Sequence, residues 1–354
     1  MTNAAITPGI HPQSVRRNTM STEPQPLSST ARGGKMMKRS TRNKDIAICC
    51  YWFWYGQRYT FAPIRQSESV RTGLFRTFAS RQNHPTTHIM ELPLSPQTLA
   101  FIRLHRTDDV RTLALQARPA EGVDLTAALQ QIAGWQVARR KLPRWSTTEG
   151  VLYPPHLPLE QCSSELTAAY KAEVLGGGES LTDLTGGFGV DCSYLAQGFT
   201  RATYVERQPE LCALARHNLP LLGCPHVRVH EGEAEAFLDA MEPVDALFLD
   251  PARRDANGGR TVDINCTPDV AALHDRLLRK GRRVLVKLSP MLDITRAVQL
   301  LPGVRQVHVV SVHNECRELL FLLTDGPADG GPVFHCVNFA AGVQRYAFTS
   351  AEEQ

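Results

Sequence analysis

Apolar runs of four to seven residues alternate with segments of helical periodicity over the second half of the chain. Strands are predicted at 181–184, 202–206, 227–230, 246–250 and 283–288. Helices are predicted from 190 and at 209–222, 234–240, 268–279 and 294–301. Two strands then follow in succession, at 306–312 and 318–324, joined by Asn314-Glu315-Cys316-Arg317. Strand–helix alternation demands right-handed crossovers and a parallel sheet covered on both faces. The closing pair makes the last strand antiparallel. The expectation is a Rossmann-like α/β sheet of seven strands.

Upstream the periodicity is helical throughout. Ser95 can cap a helix over 98–104, Asp108 or Asp109 one over 110–117, and Asp124 opens 125–141; short polar side chains satisfy the free N–H groups of a first turn. Pro143, Pro154, Pro155 and Pro158 interrupt helix in a link over 142–158. One more helix is read at 160–174, ended by Gly176, Gly177 and Gly178. Its polar cluster Gln161, Ser163, Ser164, Thr167 and Lys171 reads as amphipathic surface. Residues 327–354 read as a Gly/Pro/Asp linker and the start of a further, unfinished domain at 333–339.

Residues 1–89 lack this organisation. They carry thirteen Lys and Arg against three acids, whereas the remaining residues have a net charge of −6. We read 1–89 as a disordered basic extension, with Met90 as the expected translation start. A nucleic-acid-binding tail and an Arg/Ser-rich presequence are the competing readings. The expected domains are thus 1–89, a helical domain and linker at 90–158, the α/β domain at 159–326, and 327–354. No apolar run approaches the ~20 residues of a membrane span. Nine cysteines without a C-x-x-C pair point to a reduced, cytoplasmic chain and no metal site.

The chemistry concentrates around residues 180–191. An apolar run ends in Asp183, then Thr185, Gly186, Gly187 and Gly189 turn the chain towards a helix containing Asp191. Glycines let the backbone approach a ligand closely, and the helix begins with free N–H groups. Acids stand at successive strand ends: Asp183, Glu206, Glu233 (before Ala234) and Asp250 (before Pro251). In register, such acids define a nucleoside-cofactor site, with Glu206 placed for two ribose hydroxyls. A dinucleotide fingerprint wants a third glycine where Cys192 stands, and there is no Walker lysine.

These motifs resemble those of the class I S-adenosylmethionine-dependent methyltransferases. Lys141-Leu-Pro-Arg-Trp, residues 160–172, Asp250-Pro-Ala-Arg-Arg-Asp, Lys287-Leu-Ser-Pro-Met-Leu-Asp and Asn314-Glu-Cys-Arg-Glu resemble more closely a bacterial family with a THUMP-like domain. The resemblance covers about Met90 to the end, with the C-terminal THUMP-like part truncated. It implies S-adenosylmethionine as cofactor, bound by Asp183, Thr185, Gly186, Gly187, Gly189, Asp191, Glu206, Glu233 and Ala234. It implies RNA, tRNA or rRNA, as partner. Asp250 and Pro251 resemble the D/N-P-P-x loop of enzymes that methylate base amino groups, although Ala252 replaces the second proline. Arg253, Arg254 and Lys287 are the expected substrate contacts. Cys266 has no visible activating group, which disfavours methylation at carbon.

The leading expectation is methylation of a base nitrogen in RNA. Methylation of a protein or small molecule, a nicotinamide-dependent oxidoreductase and a non-catalytic RNA-binding remnant are the alternatives.

Overall fold

The computed structural model describes residues 94–252, 266–326, 330–349 and 351–352. Helices α1 (Pro96–His105), α2 (Val110–Gln116) and α3 (Leu125–Lys141) begin at the expected caps. The side chains of Ser95, Asp109 and Asp124 accept from the N–H groups of Thr98, Thr112 and Ala127. The link contains two short helices, α4 (Pro143–Thr147) and α5 (His156–Gln161). Pro143 sits at the first position of α4, where its missing N–H leaves no bond unmade. The single helix expected over 160–174 is broken in two. Ser164 turns extended and caps α6 (Glu165–Leu175), taking the Thr167 N–H.

Among the described residues nine strands form one sheet, rather than seven. They are β1 (Gly178–Asp183), β2 (Phe199–Glu206), β3 (Val227–Glu231), β4 (Val244–Leu249), β5 (Gly281–Leu288), β6 (Val304–Val312), β7 (Glu315–Thr324), β8 (Val333–Phe339) and β9 (Val343–Thr349). The order is β3-β2-β1-β4-β5-β7-β6-β8-β9. The first five are parallel, and β7 lies antiparallel between β5 and β6 as the hairpin predicts. The segment over 333–339, expected to open a separate domain, instead runs parallel to β6, and β9 folds back on it. Its apolar side chains explain this: Phe334 and Cys336 join the core on one face of the sheet and Val337 the core on the other.

Helices α7 (Val190–Leu195), α8 (Pro209–Leu221), α9 (Ala234–Ala240), α10 (Val270–Lys280) and α11 (Ile294–Leu300) cover the sheet. The N-terminal helices share its core. Trp145 and Tyr153 cluster with Phe188 and Val190 of the glycine turn, and Leu94 and Leu152 with Leu211 and Leu214 of α8. Strand β1 is flanked by β2 and β4, so chain connections leave in opposite directions at this point. A crevice at the carboxyl ends of these strands follows from that reversal.

The extension at 1–89, Arg253, Arg254 and the linker at 327–329 lie outside the described residues. Among the described residues no helix is long and apolar enough to cross a membrane.

Candidate active site

The glycine turn is held from below. The Gly186 N–H donates to the Val205 carbonyl at 2.8 Å, and a Cβ at Gly186 would lie 2.2 Å from the Tyr204 ring. Tyr204, completely buried, donates its hydroxyl to the Gly187 carbonyl at 2.5 Å. Gly187 and Gly189 have φ of +54° and +89°, the left-handed region where side chains are strained. Around Gly187 a Cβ would meet only the Thr185 carbonyl, 3.8 Å away. The turn therefore presents bare backbone towards the crevice.

Asp183 and Glu206 bracket that backbone. Glu206 Oε2 accepts the Gly187 N–H at 3.0 Å and Oε1 the Gln208 N–H at 2.9 Å. Asp183 is wholly buried. Its Oδ1 accepts the Thr185 N–H at 3.0 Å, while Oδ2 has no hydrogen-bond partner among the described residues. Burial pushes its carboxyl well above the usual range; the Thr185 bond opposes this, and nearby Asp191, Asp250 and Glu206 add to it. Thr185 ties the turn to the next strand end, its Oγ accepting the Asp250 N–H at 2.6 Å.

Asp250 and Lys287 follow β4 and end β5, whose register pairs Leu249 with Val286. The next positions are therefore neighbours, and Lys287 Nζ donates to Asp250 Oδ2. Lys287 is only 7% exposed. Burial would lower its pKa, but Asp250, Glu318 and Asp191 raise it above the ordinary lysine value. With Pro251, Cys266, Ser289 and Leu292, the pair lines a small recess.

Behind the pair lies a second set of buried charges. Lys171 Nζ is completely buried, 2.9 Å from both Asp191 Oδ1 and Glu318 Oε1 and 2.8 Å from Ser163 Oγ. Ser163 in turn donates to Asp191 Oδ2 at 2.7 Å. Burial pushes Asp191 up, but Lys171 and Lys287 outweigh it and hold the carboxyl below its usual range. For Glu318 burial wins, and its carboxyl is raised.

The crevice thus gathers Asp183, Thr185, Gly186, Gly187, Gly189, Glu206, Asp250 and Lys287. Glu233 stands exposed before α9, next to Gly232, whose N–H donates to the Glu206 carbonyl at 3.0 Å. Ala234 opens α9 with its side chain in the core cluster that holds Leu184 and Val205. The Asp191 carboxylate contacts Lys171 and Ser163. Lys287, expected to touch substrate, makes its contact with Asp250. Cys266 donates to the Pro268 carbonyl, and burial raises its thiol to about 11, an unreactive state.

The polar cluster read as helix surface is largely interior: Ser163, Thr167 and Lys171 are all buried. Lys171 and Ser163 are the site-forming residues that sequence reading missed. Glu318 opens the apolar run Leu319-Leu-Phe-Leu-Leu and is buried with it. The basic and aromatic residues around Trp135 and Trp145 have separate surroundings. Trp145 is core, Lys141 donates to the Leu159 and Glu160 carbonyls, and Arg144 to that of Leu222. Arg106 and Arg139 both lie over Trp135, 4.8 and 5.0 Å from its ring centroid.

No family model matches the chain. Two strains of Mycobacterium tuberculosis have proteins named "uncharacterized S-adenosylmethionine-dependent methyltransferase" that are 32% identical to it over 166 residues. That match covers 45% of this chain and 42% of those proteins, less than half their length. A crystal structure from Porphyromonas gingivalis W83, named "putative methyltransferase", is 31% identical with a TM-score of 0.63. It covers 72% of this chain and 66% of that one. The fold is the class I methyltransferase fold, with two further strands at one edge.

Proposed function

We propose that this protein is an S-adenosylmethionine-dependent methyltransferase acting on RNA, tRNA or rRNA. The observation that carries the cofactor is the set at the ends of β1 and β2. Bare glycine backbone lies between Glu206 and Asp183, and among the described residues a buried Asp183 oxygen has no donor of its own. A cationic, nucleoside-bearing molecule supplies what that set lacks: amino and hydroxyl donors for the carboxylates and positive charge among several acids. Glu206 would hold the ribose, Asp183 the amino-acid end beside the glycine turn, and Glu233 the adenine edge. When bound, the cofactor supplies an activated methyl group on a sulfonium.

The chain's own part is positioning, because transfer needs the acceptor in line and about 3–3.5 Å from the methyl carbon. Asp250, held by Thr185 on one side and Lys287 on the other, is the residue placed to orient an acceptor. A base-nitrogen acceptor is supported by the likeness of Asp250-Pro251 to amine-methylating loops. A hydroxyl acceptor is supported by the Asp250–Lys287 pair, which those loops do not require. RNA is supported by the arginine-covered Trp135 and by the resemblance drawn above.

The test is binding and transfer measured separately. Calorimetry should detect the cofactor with a Kd on the order of micromolar. Tritium from its methyl group should then enter transcribed tRNA or rRNA. Binding without transfer to RNA would leave the cofactor reading standing and remove RNA as the substrate.

A further inference from the structure

Lys287 has three N–H donors, and among the described residues the only hydrogen-bond partner of its ammonium is Asp250 Oδ2. Lys287 lines the recess with Asp250, Pro251 and Ser289. Asp250 is about a third exposed, and its Oδ1 accepts from no protein donor among the described residues. An acceptor group arriving here meets an ammonium that donates and a carboxylate oxygen that accepts. A hydroxyl matches both: its oxygen lone pair takes a bond from Lys287 while its O–H donates to Asp250. A base amino group does not, because it has two N–H donors and a lone pair delocalised into the ring.

Charge points the same way. Methylation of an amine builds positive charge on nitrogen. Like charges at contact distance in a partly buried site repel, so the ammonium disfavours such an acceptor. A hydroxyl oxygen gains negative charge as its proton departs, so the same ammonium attracts it. The buried second set of charges acts on the ammonium through space, Glu318 and Asp191 both favouring its protonated form. Glu318 lies two residues from Leu320, the cross-strand partner of Lys287, and so on the same face of the sheet. Lys171 in turn holds Glu318, at 2.9 and 3.0 Å to its two oxygens.

We propose that the acceptor is a hydroxyl, in RNA the ribose 2′-hydroxyl, bound between Lys287 Nζ and Asp250 Oδ1, with Glu318 and Lys171 as positioning residues. The proposal rests on the reading of the protein as an RNA methyltransferase. As the hydroxyl oxygen forms its bond to the methyl carbon, the carbon–sulfur bond breaks and its electron pair stays on sulfur, leaving a neutral thioether. The hydroxyl proton passes to Asp250 and then to water. Lys287 keeps its protons throughout and stabilises the charge developing on oxygen.

The full chain would be incubated with tritiated cofactor and transcribed tRNA and rRNA, and the RNA digested to nucleosides for mass spectrometry. The expected product carries its methyl on the ribose; methyl on a base overturns the proposal. Label in no RNA, with cofactor still bound, overturns the RNA reading itself. Lys287→Met should lower transfer by about 100-fold or more with cofactor affinity within about threefold. Retained transfer contradicts the assignment. If that variant does not fold, NMR of the apoprotein decides. Lys287, faced by Asp250, Glu318, Asp191 and Cys162, should titrate above the ~10.4 of free lysine, and Glu318→Gln should move it down. An unshifted Lys287, or no change in Glu318→Gln, removes the positioning role.

Discussion

The ring centroids of Trp145 and Phe188 lie 4.7 Å apart, joining the N-terminal helices to the glycine turn. Phe188 is the one bulky side chain between Gly187 and Gly189, and it is 4% exposed. The helical segment therefore sets the shape of the cofactor turn. Trp145→Ala should cost about 3–5 kcal/mol of stability, read as a lower urea midpoint. Cofactor affinity should fall with it. A turn that binds equally well without Trp145 would mean the helices only fill space.

Lys171 neutralises two buried carboxyls from elements far apart in the chain. Removing it as Lys171→Met leaves Asp191 and Glu318 without the cation in direct contact with them, at a cost of about 3–5 kcal/mol near neutral pH. Asp191 is held below its usual range in the folded state, so its stabilisation is present above the unfolded pKa and is lost as pH falls. The deficit of the variant should accordingly narrow towards pH 4 as the orphaned carboxyls take up protons. A deficit independent of pH would show packing, not charge, as its origin.

Asp183 is raised, so its sign is opposite: it favours folding below the unfolded carboxyl pKa, and that contribution is lost as pH rises. Asp183→Asn keeps an acceptor for Thr185 and removes the buried charge. It should stabilise the apoprotein at neutral pH while weakening cofactor binding about 10- to 100-fold. Thermal unfolding and calorimetry check the two halves separately.

His308 is buried on β6, its ring stacked on His335 at 4.6 Å and bonded to the Tyr170 hydroxyl at 2.8 Å. Burial, aided by His335, pushes its imidazole down to about 3. Its contribution is present above the unfolded pKa of about 6.5 and is lost as pH falls towards the folded value. In His308→Gln the dependence of stability on pH between those limits should flatten by about 1.4 kcal/mol per pH unit. Urea midpoints at pH 6 and pH 4.5 suffice to see it.

The strands, the glycine turn and the acids at strand ends were legible because each is a local pattern. Periodicity marks the element, and the acid marks its end. Asp250 was legible in the same way, but its partner was not: Lys287 lies on another strand, and the pairing exists only through the β4–β5 register. Lys171 and Glu318 were further out of reach, 147 residues apart. A lysine on an amphipathic helix reads as solvated until tertiary packing encloses it. The segment over 333–339 was visible as the start of an ordered element, yet nothing local says that it adds to β6 instead of opening a new domain. The break at Cys162-Ser163 was hidden because Ser164 as a cap and Ser164 within a helix look alike until the chain turns.

The most direct test of the cofactor site is calorimetry of S-adenosylmethionine with the wild-type protein and with Glu206→Ala. The account predicts binding in the micromolar range, weakened by about 100-fold when the Glu206 carboxylate is removed. Absence of binding to a folded wild-type protein, or full affinity in Glu206→Ala, would contradict it.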